Sequence, residues 1–315
     1  MTRARSQIID REEGGYYHLL SRCVRRSMLC GADPVTGRDL AHRREWIEDL
    51  ALDLTQLFTV HVIAYAVMSN HYHITVNYRP QERLALSDEE VARRWRVLYR
   101  SPGNDDAGTV NSLQEPGRIE VLRDRLGDLS WYMRHLNETI ARRANLEDDC
   151  TGRFWQGRFK AKGLHTSRAV WACMAYDDLN PERARISDQQ ATSYFTSLQR
   201  RLEEASEMPE RFDQPMAPLT RRAGMVVSAP KPAPRLELTL REYCAHVDWI
   251  ALATASANTQ TDRIPAPEGD AASWLALMKS FDRRTRTPAL PRSARAIDLN
   301  GRHLTGRDIT KGRHP

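Results

Sequence analysis

The chain has 315 residues, 41% of them hydrophobic, enough apolar material for one substantial core or two modest ones, which excludes a disordered polypeptide. Its formal net charge is +6 with Arg far outnumbering Lys, and the planar guanidinium is the side chain that best grips phosphate, so a polyanion is a partner to test. Five scattered cysteines, Cys23, Cys30, Cys150, Cys173 and Cys244, exclude a disulfide frame or a zinc knuckle and suggest a reducing compartment.

The opening "MTRARSQIID" lacks a signal-peptide core, and no apolar run approaches the ~20 residues that cross a bilayer, so the expectation is a cytoplasmic protein with no membrane partner. "GGYYHLLSRC" (14–23), aromatic and apolar after a Gly pair, predicts a first strand. Over 43–58, Trp46, Leu50, Leu54 and Phe58 recur every four residues and predict a helix. Two β-rich runs, "TVHVIAYAVMSN" and "HYHITVNY", flank the turn-like Met68-Ser69-Asn70 and predict a strand pair.

"SDEEVARRWRVLY" predicts a helix opened by Ser87 and Glu90 at capping-box spacing, with Val91, Trp95 and Leu98 inward. Residues 101–117 are loop-like in composition. "DLSWYMRHLNETIARRAN" predicts a helix burying Leu129, Met133, Leu136 and Ile140, and "SRAVWACMAYDDLN" another closed by Pro181. The expected organisation is a principal domain over 1–205, a proline-rich linker over 206–236, and a helical accessory region over 237–315 with a basic, mobile tail.

Alternation along a strand puts His71 and His73 on one face and Tyr72 on the other, so two imidazoles one pleat apart can share a divalent metal. HxH is short and common, and two histidines leave a metal site incomplete. Tyr176 and Asn180 stand four apart on one helical face, a phenol beside an amide oxygen that can supply a third ligand. A phenol with a pKa of ~10 becomes a competent nucleophile beside a metal that stabilises phenolate.

The combination resembles the single-tyrosine HUH transposases, especially those associated with REP elements and related insertion-sequence enzymes. "MSNHYHITV" is similar to their "MPNHxHLLV" signature, "YYHLLSRCVRR" to their opening strand, "GRFWQGRFKAKGL" (152–164) to their G-x-x-W-Q-x-R-F/Y-K stretch, and "AYDDLNPERA" to their YIxxNPxRA block. The resemblance covers roughly residues 14–190, and several motifs in order are more specific than any one of them. It implies an α/β (α+β) fold with a ferredoxin-like, mainly antiparallel sheet, helices behind it and a C-terminal helical extension. It further implies that His71, His73 and Asn180 hold Mg²⁺ or Mn²⁺ and that Tyr176 attacks single-stranded or hairpin DNA, leaving a covalent 5′-phosphotyrosine. Departures are Ser69 for proline, Asp177 and Asp178 after the tyrosine, and Glu182 for valine. Whether one chain completes the site or a homodimer exchanges the tyrosine helix stays open.

DNA contacts are expected from Arg153, Arg158, Lys160 and Lys162 to phosphates and from Phe154, Trp155 and Phe159 to unpaired bases, with Arg22, Arg25 and Arg26 extending the surface. Two rival readings are a non-cleaving binder of structured DNA repeats and a zinc hydrolase of small phosphate esters. Against the second stands the lack of a third histidine close to the pair in sequence.

Overall fold

Aromatic and β-branched runs form the central strands of one antiparallel sheet: β1 (Gly15–Arg22), β2 (Val60–Val67), β3 (His71–Tyr78) and β4 (Lys160–Leu164), ordered β2-β3-β1-β4. The computed structural model describes residues 4–24, 28–33, 36–99, 115–183, 195–221, 235–255, 271–282, 296–297 and 303–304. Helix α1 (Arg43–Leu54) links β1 to β2, and α2 (Asp88–Tyr99), α3 (Arg118–Leu126) and α4 (Leu129–Glu147) lie between β3 and β4. This strand order with a helical crossover in each half is the ferredoxin-like arrangement. The β2–β3 turn falls at Met68–Asn70, where the Met68 amide donates to the His71 carbonyl at 2.8 Å.

The period-2 alternation of the strands divides the molecule into two cores. On the first face Tyr17 and Leu19 of β1, with Tyr72, Ile74, Val76 and Tyr78 of β3, pack under α1 to α4. On the second, Tyr16, Ile63 and Ala64 pack with α5 (Ser167–Arg183), α6 (Ser197–Glu207), α7 (Leu240–Ala255) and α8 (Ala271–Asp282). The histidines of β1 and β3 point to this second face, so β3, a central strand, carries them between α5 and the sheet.

Capping follows local chemistry. The Ser87 hydroxyl accepts from the Glu90 amide at 3.2 Å, while the Glu90 carboxylate turns to Arg93 and Arg94 instead of closing the box. Asp128 accepts from the Ser130 amide at 2.6 Å to start α4, which buries Leu129, Met133, Leu136 and Ile140 as its spacing predicts.

Elsewhere the structure corrects the sequence reading. Helix α1 stops at Leu54, where the Thr55 hydroxyl donates to the Leu52 carbonyl at 2.7 Å, and its buried side is Ile47, Ala51 and Leu54; Trp46 stays half-buried under the Arg143 guanidinium, 3.7 Å from its ring centre. Helix α5 runs two residues past Pro181, whose missing N–H interrupts only the last turn. Helix α3 and strand β4 have no clear local signal: "KAKGL" lacks β-branched residues and joins by main-chain pairing to β1, Tyr16 opposite Leu164.

The expected linker packs where it is described. Main-chain bonds join Met216 to Leu238 and Leu236, the Leu219 amide donates to Val62 of β2, and Met216, Leu219, Leu236 and Leu238 are buried. Helices α7 and α8 share the second core with α5, so the described part of the accessory region is built onto the principal domain. Residues 101–114 of the expected loop lie outside the described residues, as does the tail apart from the paired two-residue strands Ala296–Ile297 and His303–Leu304. Among the described residues no helix is long and apolar enough to cross a membrane.

Candidate active site

Three elements of one chain meet on the second face: β3 with His71 and His73, β1 with His18 and Arg22, and α5 with Cys173, Tyr176, Asp177 and Asn180. The Tyr176 ring stands edge-on to His73 at 5.6 Å and to His18 at 6.0 Å between ring centres. One turn further along α5, the Asn180 amide nitrogen lies 3.3 Å from His73 Nε2. The structure brings Tyr176 and Asn180 of α5 to His73 within a single chain.

His71 is at the end of β3, opposite Arg22. Its Nδ1 stands 2.6 Å from Asn70 Oδ1 and 3.5 Å from Arg22 Nη2. The shorter contact is to an acceptor, so the ring proton sits on Nδ1 and the lone pair on Nε2. Burial, then the Arg22 charge, lowers the His71 pKa to about 4. For His73 burial comes first, followed by His18, His71 and Arg22, and its pKa falls well below the ordinary value. Both imidazoles are neutral at pH 7 and carry a lone pair.

Sequence reasoning missed His18 and underrated Asp177. His18 sits on β1 opposite Thr75 and diagonal to His73, and its Nε2 is 2.9 Å from His73 Nδ1 with the ring planes 6° apart. Asp177, the residue after the tyrosine, is wholly buried. Its Oδ2 accepts from the Thr75 hydroxyl at 2.7 Å. Its Oδ1 lies 3.1 Å from His18 Nε2, at ion-pair distance but outside hydrogen-bond geometry, and has no hydrogen-bond partner. Cys173, one turn before Asp177, has Sγ 3.3 Å from Thr75 Oγ1, and burial pushes its thiol pKa well above the usual range. The ligand atoms of His18, Cys173 and Asp177 all lie within 4.8 Å of one another. Imidazole nitrogens and a buried carboxylate oxygen without a hydrogen bond are a donor set that fits a divalent cation. The third histidine that local sequence lacks is supplied by strand pairing.

Helix α8 covers the cluster. Phe281 tilts against Tyr176 at 5.4 Å and meets His18 edge-on at 5.8 Å between ring centres. Lys162 of β4 reaches over Phe281 at 4.2 Å and donates to the Ser280 hydroxyl at 2.9 Å. Tyr176 is 6% exposed as a result. Asp178 faces away into the second core, accepting from Ser197, the Leu198 amide and Tyr243 at 2.5–2.8 Å.

The expected DNA contacts divide. Arg22, Arg153, Arg158 and Lys160 are exposed, Lys162 is half-buried under α8, and Arg25 and Arg26 lie outside the described residues. Phe154 and Phe159 are corrected: both are buried against the first core, because their apolar rings gain more from the sheet than from water, and the Arg5 guanidinium lies over the Phe159 ring at 4.4 Å. Trp155 is half-buried, donates through its indole N–H to the Asn137 carbonyl at 2.8 Å and stands edge-on to Tyr72. A cleft of 480 Å³ nearby is lined by Arg5, Arg11, Arg134, Arg158, Trp131 and Trp155, among others.

No family model matches the chain, and no curated protein matches it in sequence. Among solved structures it is similar to a REP-associated tyrosine transposase bound to a REP hairpin, at 13% identity over 75% of this chain and 99% of that one, with a TM-score of 0.39.

Proposed function

We propose that the chain is a DNA strand-cleaving and rejoining enzyme acting on hairpin-bearing single-stranded DNA, with Tyr176 as its nucleophile. The observation that carries this reading is the convergence of a phenol, two neutral imidazoles and an amide from a strand and a helix of one chain: Tyr176 at 5.6 Å from His73, and Asn180 at 3.3 Å from it. The ordered motifs of the sequence support the same reaction class.

The Tyr176 oxygen attacks the scissile phosphorus, forming a phosphotyrosine ester to the 5′ side. The bond from phosphorus to the 3′ oxygen breaks and that oxygen leaves as a hydroxyl; the proton lost by the phenol balances the one gained by the leaving group. The ester keeps the energy of the phosphodiester, so a 3′-hydroxyl reverses the step without a nucleotide cofactor. A divalent cation, which the sequence resemblance assigns to His71, His73 and Asn180, would supply charge stabilisation at the phosphate when bound. Arg22 beside His71 places a fixed positive charge at the mouth of the site, and the cleft of Arg5, Arg11, Arg134 and Arg158 offers phosphate partners away from it.

Entry of a strand requires α8 to move off α5, since Phe281 lies against the nucleophile. That cover is also the one observation favouring the second reading, a binder of structured DNA that does not cut. The full-length chain incubated with labelled hairpin oligonucleotides and Mn²⁺ should give a protein–DNA adduct on a denaturing gel. Tight hairpin binding with no adduct under any divalent metal selects the second reading, and an adduct that persists in Tyr176→Phe removes Tyr176 as the nucleophile.

A further inference from the structure

A neutral imidazole has one lone pair, so His73 can serve a cation on one side of its ring at a time. The outer nitrogen, Nε2, faces the Asn180 side-chain amide at 3.3 Å, and its neighbour His71 has the Arg22 guanidinium at 3.5 Å. A fixed positive charge beside this side of the site opposes a metal ion. The inner nitrogen, Nδ1, faces His18 Nε2 at 2.9 Å and Asp177 Oδ1 at 4.0 Å, and those two are 3.1 Å apart.

We propose that the chain's divalent-cation seat is this inner triad, His18 Nε2, His73 Nδ1 and Asp177 Oδ1, and not the His71, His73 and Asn180 set that the sequence resemblance implies. A triangle with those three sides has its corners about 2.0 Å from a common centre, the length of a bond from a first-row metal to imidazole or carboxylate. Seen from that centre His73 and Asp177 stand nearly opposite, with His18 close to a right angle from each, which is three positions of an octahedron.

A second observation points the same way. Asp177 is wholly buried, its Oδ2 is held by Thr75, and its Oδ1 is aimed into the triad with no hydrogen-bond partner. Protons alone do not resolve the junction, because one N–H between the two rings leaves the carboxylate oxygen unmet. A cation meets all three lone pairs at once and leaves Nε2–H of His73 to donate to the Asn180 amide once that amide is turned to present its oxygen. Two imidazoles and a carboxylate in octahedral array suit Mn²⁺ or Fe²⁺ better than Mg²⁺, which prefers oxygen and water. Cys173 Sγ lies 3.3 Å from Thr75 Oγ1 beside the seat.

The seat would join β1, β3 and α5 at one point. Asp177 directly follows Tyr176, so an ion held there fixes the turn of helix that presents the phenol. The assignment is read on the protein alone and stands whether or not DNA is cut. Chelator-treated full-length chain titrated with Mn²⁺ by calorimetry should take up one ion, with a rise in melting temperature. His18→Gln and Asp177→Asn should each weaken uptake at least about 100-fold, more than loss of an outer partner costs, while His71→Ala leaves it within about threefold. Asp177→Asn keeps the side-chain shape and the Thr75 bond, and metal-free melting curves establish that each variant folds. With Co²⁺ as a spectroscopic probe, weak octahedral bands without a thiolate charge-transfer band are expected. No Mn²⁺ uptake at millimolar concentration, a loss that follows His71 and Asn180 instead, or a strong thiolate band from Cys173 would each overturn the triad.

Discussion

The two faces of β3 are built from alternate residues of one eight-residue strand, yet they obey opposite rules. On the first, Tyr72, Ile74, Val76 and Tyr78 are buried in an apolar core, and the two phenols are satisfied by Asn137 at 2.8 Å and the Gly127 carbonyl at 2.7 Å. On the second, His73, Thr75 and Asn77 are as deeply buried, but Asn77 Oδ1 and the facing Asp177 Oδ1 have no hydrogen-bond partner. Burying polar groups without full satisfaction costs free energy that the first face must supply. A strand can therefore be apolar on one side and polar on the other, because adjacent side chains never share a face.

The sharpest break between the faces is Tyr176→Phe. It should lower adduct formation at least about 1,000-fold, the scale on which loss of a nucleophile is felt, while unfolding free energy changes by about 1 kcal/mol or less. Gel assay and urea titration of the same preparation check both halves. The converse is Leu136→Ala, in a wholly buried position of α4 on the first face. It should cost about 3 kcal/mol in urea unfolding, within the range for buried leucines, with adduct yield per folded molecule unchanged.

Acid should act through the second face. The folded-state pKa of His71 is lowered to about 4 and that of His73 is lowered well below the ordinary 6.5, so between those values the unfolded chain binds protons that the folded chain refuses. Stability is then undiminished above about pH 6.5 and falls as the pH drops towards 4, with His71 alone accounting for on the order of 3 kcal/mol at most. Urea midpoints measured across that window should fall, and His71→Gln should flatten the profile; a profile unchanged by the substitution would contradict the assignment. The smallest effect is expected at the cover of the second face. Phe281→Ala opens the Tyr176 ring and should raise the rate of adduct formation about threefold, since lid opening then limits less of the reaction.

Much of the fold was legible along the chain. The aromatic and β-branched content of β1, β2 and β3, the turn at Met68–Asn70, and the three- and four-residue spacing of Leu129, Met133, Leu136 and Ile140 are local signals read by local rules. Strand β4 was not, because its Lys-rich sequence has little strand preference and is held by pairing with β1. Within the site, His71 and His73 were legible because a pleat lies within three residues, and Tyr176 with Asn180 because one helical turn lies within five. His18 was not, although it stands in the same quoted strand as Tyr16 and Tyr17.

The sequence by itself determined which residues share a face: the period of a strand and of a helix depends only on backbone sterics and hydrogen-bond geometry. The tertiary structure alone decided which faces meet. Strand β1 lies beside β3 although 55 residues separate His18 from His73, and that pairing, with α5 laid across it, puts His18 and Asp177 on the inner nitrogen of His73. It also turned Phe154 and Phe159 into the first core and set Phe281 over the phenol. Contacts between elements far apart in the chain arise from burial summed over whole surfaces, which no short window of residues contains.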